Sequence, residues 1–306
     1  MILITGGSGF IGKNLIYKLI NLKNIRNLIA TYKNSNLEFF KNKKLKYVQL
    51  DLRSEIQTKK ILEKYKPKVI IHLASSYINP PDLTLDDHIK INVGSIINII
   101  DYLNKNHFNR FIFINTSAFY SSSKIVKEND KLNLNNNYAF SKYIASKTLF
   151  DLINKKKKDK IIELRLFSVF GPWEGEGKLT ISAIESAAKN NHFHIFSSKQ
   201  TRDLIYIENV VDAIIASLKP NIEGGIYNIC SGKPTNLLTH VKNIYKMFNI
   251  HNPKIKIKIK KTKKLNKLDL IIGNYDKAYK KLNWKPKISI NDGIKKTKEW
   301  YLNNER

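Results

Sequence analysis

Tyr138 and Lys142 stand four residues apart in YAFSK (138–142), and Thr116 lies upstream in INTSAFY (114–120). Four residues is about one helical turn, so the phenol and the ammonium share a helix face. A free phenol ionises near ~10. A neighbouring ammonium favours the phenolate and draws that value towards neutrality. Thr116 can hydrogen-bond the same substrate oxygen that Tyr138 serves. The trio is a proton-transfer set, suited to work beside a hydride carrier. A Tyr–Lys pair at this spacing is also an ordinary surface pairing, so its meaning depends on what stands around it.

The N-terminus supplies that context. GGSGFIG (6–12) sets Gly6, Gly9 and Gly12 at GxxGxxG spacing between an apolar strand and an amphipathic helix. Glycines permit the tight turn and let backbone N–H groups approach a pyrophosphate. Phe10, Ile11 and Gly12 then open the helix, whose N-terminus faces the phosphate charge. That pattern predicts a bound dinucleotide, and an oxidised nicotinamide adds to the pull on the Tyr138 proton. The same fingerprint expects an acidic residue about 20 positions later, on the ribose. LIATYKNSN (28–36) offers Thr31, Tyr32 and Lys33 there instead. An acid would bind both ribose hydroxyls and repel a 2′-phosphate. Thr31 can hydrogen-bond a phosphate oxygen and Lys33 can supply positive charge, so NADP(H) is preferred over NAD. In DLRS (51–54), Asp51, followed by Leu52, is placed to meet the adenine amino group or to cap a helix. HLAS (72–75) ends the fourth strand, where Leu73, Ala74 and Ser75 allow close approach of the cofactor.

These residues need a scaffold that brings strand ends together. Apolar runs at 2–5, 27–32, 45–50, 68–74, 110–116 and 160–166 read as strands. Amphipathic stretches at 10–22, 54–65, 84–105 and 138–153 read as helices between them. The alternation predicts an α/β fold, a Rossmann-type doubly wound parallel sheet with ligands at the strands' C-terminal edge. After residue 167 the pattern loosens. GPWEGEGK (171–178) reads as a loop, followed by a helix near 180–190. RDLIYI (202–207) and GIYNIC (225–230) read as strands returning to the main sheet. KIKIKIK (254–260) alternates as a half-exposed strand would. Helices close the chain at 276–287, ending before Pro286, and at 291–302. The expected division is a Rossmann domain over 1–166 with the returning segments of 202–230. A smaller mixed α/β substrate domain takes 167–201 and 231–306.

Composition narrows the function classes. The 306 residues are 42% hydrophobic, enough for a large core. No apolar run approaches the ~20 residues of a membrane span. A strand beginning at Ile2 leaves no room for a signal peptide, and a cytoplasmic location is expected. Cys230 is the single cysteine, which rules out an intrachain disulfide and a cysteine metal cluster; no metal site is expected. The net charge of +29 invites a nucleic-acid reading. Yet only six of the 54 basic residues are Arg, and the chain is crowded with Lys, Asn and Ile. Such lysines read as solvated background, with no dedicated nucleic-acid site. Against that background Arg165 and Arg202 stand out, because Arg supplies a planar bidentate fork.

Taken together, the motifs resemble the extended short-chain dehydrogenases/reductases, specifically the NAD(P)-dependent epimerase/dehydratase group acting on nucleotide sugars. The resemblance runs through TGGSGFIG (5–12), DLR (51–53), HLAS (72–75), NVGSIIN (92–98), NTSAFY (115–120) and YAFSK (138–142). It continues through LRLFSVFGPWE (164–174), TRDLIYIENVVDAI (201–214), YNICSGKPTNL (227–237) and LNWKPKISINDGI (282–294). It implies that Tyr138 is the acid/base, that Lys142 orients Tyr138 and the nicotinamide ribose, and that Thr116 meets the substrate hydroxyl. It places Asn92 near the cofactor, Ser117 and Ser168 at the substrate, and Arg202 on the substrate pyrophosphate. Arg165, in the LR motif, reads as structural. Ser168 stands where many relatives have Asn. A homodimer is implied, joined in a four-helix bundle by the helices around 84–105 and 138–153.

The resemblance also sorts the reactions. The 4,6-dehydratases carry Asp-Glu after the threonine, where this chain has Ser117-Ala118. Ala118 transfers no proton, which argues against dehydration, and decarboxylases typically need Glu there. The 3,5-epimerase/reductases use a Cys and a His, and Cys230 ends a strand instead. A C4 keto reductase of a nucleoside-diphosphate (6-deoxy)hexose or related heptose is expected, with an NAD-dependent 4-epimerase as the alternative. Some relatives are non-catalytic dinucleotide sensors or RNA-binding proteins, but those usually lose part of Thr–Tyr–Lys.

Overall fold

The computed structural model describes residues 1–33, 40–76, 83–121, 123–134, 136–257 and 271–304. The first half runs β1 (Ile2–Thr5), α1 (Phe10–Ile20), β2 (Leu28–Tyr32), β3 (Leu45–Gln49), α2 (Glu55–Tyr65), β4 (Val69–His72), α3 (Leu85–Lys105), β5 (Arg110–Thr116), β6 (Ser123–Val126), α4 (Asn137–Leu152) and β7 (Ile161–Leu166). The second runs β8 (Ser168–Phe170), α5 (Leu179–Ala188), β9 (Phe193–Ile195), β10 (Thr201–Tyr206), α6 (Ile207–Ala216), β11 (Gly225–Ile229), β12 (Pro234–Asn236), α7 (Leu237–Lys246), β13 (Ile255–Ile257), β14 (Ile271–Gly273), α8 (Asp276–Leu282) and α9 (Ile290–Asn304).

Seven strands form one parallel sheet in the order β11-β7-β5-β4-β1-β2-β3. The order reverses at β1, which opens a crevice beyond the C-terminal ends of β1 and β4. Both faces are covered, so the strands read as nearly continuous apolar runs. Ile2 and Ile4 face α1 and α6, packing with Leu15, Ile16, Val210 and Ile214. Leu3, Ile70 and Phe111 face α2, α3 and α4, packing with Leu62, Ile96 and Leu149. Each such buried side chain stabilises the fold by roughly 1.5–3 kcal/mol relative to exposure.

Helix starts follow local chemistry. Thr84 and Asp87 form a reciprocal capping box at α3, and Asn136 caps α4 by accepting from Ala139 N–H at 2.7 Å. Ser54, not Asp51, caps α2. Asn283, left-handed at φ 51°, stops α8 ahead of Pro286.

The second half departs from the sequence expectation at one strand. GIYNIC does return to the main sheet, as β11 beside β7. RDLIYI does not. β10 pairs parallel with β8 and antiparallel with β12 in a separate three-stranded sheet. Its apolar pattern cannot say which neighbour it takes; the pairing is set by β8, three residues long and too short to read. α6, directly after β10, packs back on α1. Of KIKIKIK, residues 255–257 form β13 against β9, with Ile257 exposed, and 258–260 lie outside the described residues.

Candidate active site

The C-terminal ends of β1, β4 and β5 converge on α4. The Tyr138 hydroxyl faces the Ser75 and Thr116 side chains. Burial pushes the phenol up from its usual pKa, and those two side chains oppose it. Thr116 Oγ1 accepts from Ala118 N–H at 3.1 Å, which leaves the hydroxyl proton for an oxygen in the site. Lys142, one turn below on α4, is 2% exposed. Its Nζ donates to Ile114 O at 2.9 Å and lies 4.3 Å from the Phe113 ring centroid. Burial holds its pKa down at about 7, against the pull of Glu163. A lysine so placed changes charge near neutrality.

Asn92 ties the strand end to both helices. Its Oδ1 accepts from Ser75 Oγ at 3.1 Å and Ser76 N at 3.0 Å, and its Nδ2 donates to Ser76 and Ser141 hydroxyls at 2.8 Å each. Asn92, Ser75, Ser76 and Ser141 therefore form one hydrogen-bonded cluster, with Tyr138 facing Ser75 and Thr116 beside it.

The turn after β1 is a cradle shaped by absent side chains. Gly6 has φ 66°, and a Cβ there would lie 2.9 Å from the Ala74 backbone. A Cβ on Gly12 would lie 2.5 Å from Gly6 O. Gly9 caps α1 without a side-chain hydrogen bond, so the first N–H groups of Phe10, Ile11 and Gly12 meet no capping side chain. Leu73 N and Ala74 N bond back to Thr5, closing the other wall. This fits the pyrophosphate of a dinucleotide.

The residues of the ribose and adenine end differ from expectation. Thr31 is 1% exposed, and its Oγ1 accepts from Gly6 N–H at 3.3 Å. Its hydroxyl oxygen holds the glycine turn, and its burial leaves it no open face for a phosphate. β2 is covered on both faces and buries Leu28 to Thr31 alike, so the apolar run does not show how enclosed the threonine is. Lys33 is exposed and sits 4.0 Å from Asp51. Arg53 grips Asp51 through Nε at 3.0 Å to both oxygens and through a terminal nitrogen at 2.5 Å. That grip holds the Asp51 carboxyl below its usual pKa. Two cations around one carboxylate leave the corner net positive. Leu52 O accepts from Asn98 and anchors the loop to α3.

With this geometry in place, comparisons with known proteins become informative. The NAD dependent epimerase/dehydratase family matches residues 2–230. A putative UDP-glucose 4-epimerase of Methanocaldococcus jannaschii is 30% identical over the whole of both chains. The chain belongs to the NAD dependent epimerase/dehydratase family. Human dTDP-D-glucose 4,6-dehydratase is 26% identical over 99% of this chain and 90% of its own. The fold is shared with Thermotoga maritima UDP-glucose 4-epimerase, solved with UDP-glucose, at TM-score 0.84 and 23% identity, covering 100% and 99% of the chains. It is shared also with Bacillus anthracis dTDP-glucose 4,6-dehydratase, solved with NAD, at TM-score 0.87 and 19% identity, covering 99% and 97%.

The other epimerase/dehydratase positions lie around this cluster. Ser117 N–H donates to Leu166 O at 2.9 Å, linking β5 to the chain just before Ser168. Ser168 is half-buried and paired with Leu204, two residues after Arg202 on β10. Arg165 is buried in an ion pair with Glu163 at 2.7 Å and also donates to Tyr120 and Glu128 O. Cys230 is fully buried against Gly273 and Phe167, and burial pushes its thiol well up, which suits core packing. Two residues were missed from sequence: His88, whose ring stands beside Tyr138, and Glu174, whose carboxyl burial raises to about 8. His88 sits four residues before Asn92, one helical turn, which was the available signal.

Proposed function

We propose that the protein is a nucleotide-sugar reductase acting on the C4 keto group of a nucleoside-diphosphate 4-keto-(6-deoxy)hexose or related heptose. The observation that supports hydride chemistry is the grouping of Tyr138 beside Ser75 and Thr116 with Lys142 buried one turn along α4. The Gly6–Gly12 cradle would hold a nicotinamide dinucleotide, which would supply the hydride for C4. Tyr138 gives its proton to the developing alkoxide, and Thr116 hydrogen-bonds the same oxygen. The charged form of Lys142 favours the phenolate that remains. Ala118, incapable of proton transfer, argues against loss of water.

Reduction rather than epimerisation rests on cofactor choice. No carboxylate ends β2, and Lys33 and Arg53 outnumber Asp51 at that corner. This supports NADP(H), a pool the cell keeps reduced. The substrate lies between the Rossmann layer and the smaller C-terminal unit, with Ser117, Ser168 and Arg202 on the substrate side. A homodimer through α3 and α4 is part of this reading, supported by Ile97 and Leu152 standing 50% and 56% exposed on those helices. The single buried cysteine suits the cytoplasm. No helix among the described residues is long and apolar enough to cross a membrane.

The 30% identical relative named as a putative UDP-glucose 4-epimerase favours a second reading, an NAD-dependent 4-epimerase. The two separate on a panel of UDP-, GDP-, CDP- and dTDP-4-keto-6-deoxyhexoses with NADPH. Stoichiometric loss of NADPH absorbance supports the reductase. Interconversion of UDP-glucose and UDP-galactose without added cofactor rejects it.

A further inference from the structure

The polar cluster behind Tyr138 ends on a side chain that the proton-transfer scheme leaves unused. His88 lies in the second turn of α3 and is 3% exposed. Its ring meets the Tyr138 ring edge-on, with centroids 6.1 Å apart. Its Nδ1 is 2.7 Å from Ser76 Oγ.

One backbone group fixes the orientation of the amide between them. Ser76 N–H can only donate, and it points at Asn92 Oδ1 at 3.0 Å. The oxygen end of Asn92 is thereby identified. Asn92 Nδ2 must then donate to Ser76 Oγ and Ser141 Oγ, both at 2.8 Å. The Ser76 hydroxyl already accepts from Asn92, and an amide nitrogen takes no proton in return. Its own proton goes to the partner at 2.7 Å, His88 Nδ1. His88 Nδ1 is the acceptor at hydrogen-bond distance for that proton among the described residues, which favours the neutral tautomer with its proton on Nε2.

We propose that His88, as this neutral tautomer, is a positioning residue for Tyr138. By accepting the Ser76 proton it locks Ser76 and Asn92, and through them the Ser75 hydroxyl that stands beside the phenol.

The lock matters because Tyr138 changes charge. While the phenol is protonated, Ser75 Oγ can accept from it and send its own proton to Asn92 Oδ1 at 3.1 Å. Once Tyr138 has given up its proton, the Ser75 hydroxyl turns to donate to the phenolate. That exchange needs one O–H rotation, provided Asn92 keeps its orientation. A proton on His88 Nδ1 would confront the Ser76 hydroxyl and remove its acceptor. Among the described residues, the titratable groups facing His88 are Asp87 on its own helix and Tyr138 on α4. Asp87 favours the charged ring, while burial disfavours it more and holds the ring below its usual pKa. The lock is intact at neutral pH and opens in acid.

This inference rests on Tyr138 being the proton donor, but its test needs neither substrate nor cofactor. The chain has 15 tyrosines, so tyrosinate absorbance of each protein is titrated against the same protein carrying Tyr138→Phe. The difference isolates the Tyr138 midpoint. His88→Asn keeps an acceptor oxygen near the Nδ1 position and leaves the midpoint in place. His88→Phe keeps the ring and removes the acceptor, raising the midpoint by about one unit, a tenfold loss of acidity. A merely space-filling His88 would give wild-type titration in His88→Phe, and that result overturns the proposal. So does an equal shift in both variants. Independently of either variant, 15N NMR of the wild type is expected to show an unprotonated His88 Nδ1 at pH 7; a protonated Nδ1 overturns it.

Discussion

At the residue scale, the site depends on burying a lysine that must also carry charge. Lys142 has a folded pKa of about 7 against an ordinary 10.5. Between those values the unfolded chain binds the proton more tightly than the folded one. Stability therefore rises with pH across the window from about 7 to 10.5 on account of this group. Lys142→Met should flatten that rise. Denaturant melts at pH 7 and pH 9 are expected to differ less in the variant, by roughly 1–3 kcal/mol. An unchanged pH slope would mean that Lys142 is not held neutral by the fold. The reactive trio was legible because its spacing is helical and its motifs are ordered along the chain. Thr31 was not, because β2 is covered on both faces and Leu28 to Thr31 are all buried, so no alternation marks its surroundings.

At the element scale, the proposed cofactor preference rests on Lys33 and Arg53, just after β2 and β3. Lys33→Asp restores an acid near the ribose and should reduce the NADPH over NADH preference by tenfold or more, about 1.4 kcal/mol or greater. Binding titrations with both cofactors check it, and an unaltered ratio removes the support for NADP(H). Glu174 sits in the loop that links β8 to α5, and its Oε2 is buried with no hydrogen-bond partner among the described residues. Burial raises its pKa from the usual 4.5 to about 8. The folded state thus holds the proton more tightly, a contribution present below 4.5 and lost as pH rises towards 8. Glu174→Gln should be more stable than wild type at pH 8, by roughly 1–3 kcal/mol, and close to it at pH 4.5. Thermal melts at the two pH values decide this; a variant weaker at pH 8 would show a hidden partner. The long elements were readable from periodicity. The strands β6, β8, β9, β12 and β14 are three or four residues long, too short for a period to register. Because β8 and β12 were invisible, β10 was sent to the wrong sheet.

At the scale of the whole molecule, one parallel sheet covered on both faces places the cradle, the proton-transfer cluster and the β8–β10 strands at a single edge. The net charge of +29 falls mainly on exposed lysines, while Arg110 and Arg165 are buried. Arg165 shows what the arginines do here: its planar fork joins Glu163, Tyr120 and the Glu128 carbonyl inside the core. The proposed function is a one-way hydride delivery with a proton from Tyr138. It is tested most directly with NADPH deuterated at nicotinamide C4 and a nucleoside-diphosphate 4-keto-6-deoxyhexose, following the sugar by mass spectrometry and NMR. The account predicts one deuterium at sugar C4 per cofactor oxidised, and almost no turnover in Tyr138→Phe with cofactor affinity retained. Epimerised sugar without deuterium and without cofactor consumption, or full turnover in Tyr138→Phe, would contradict it.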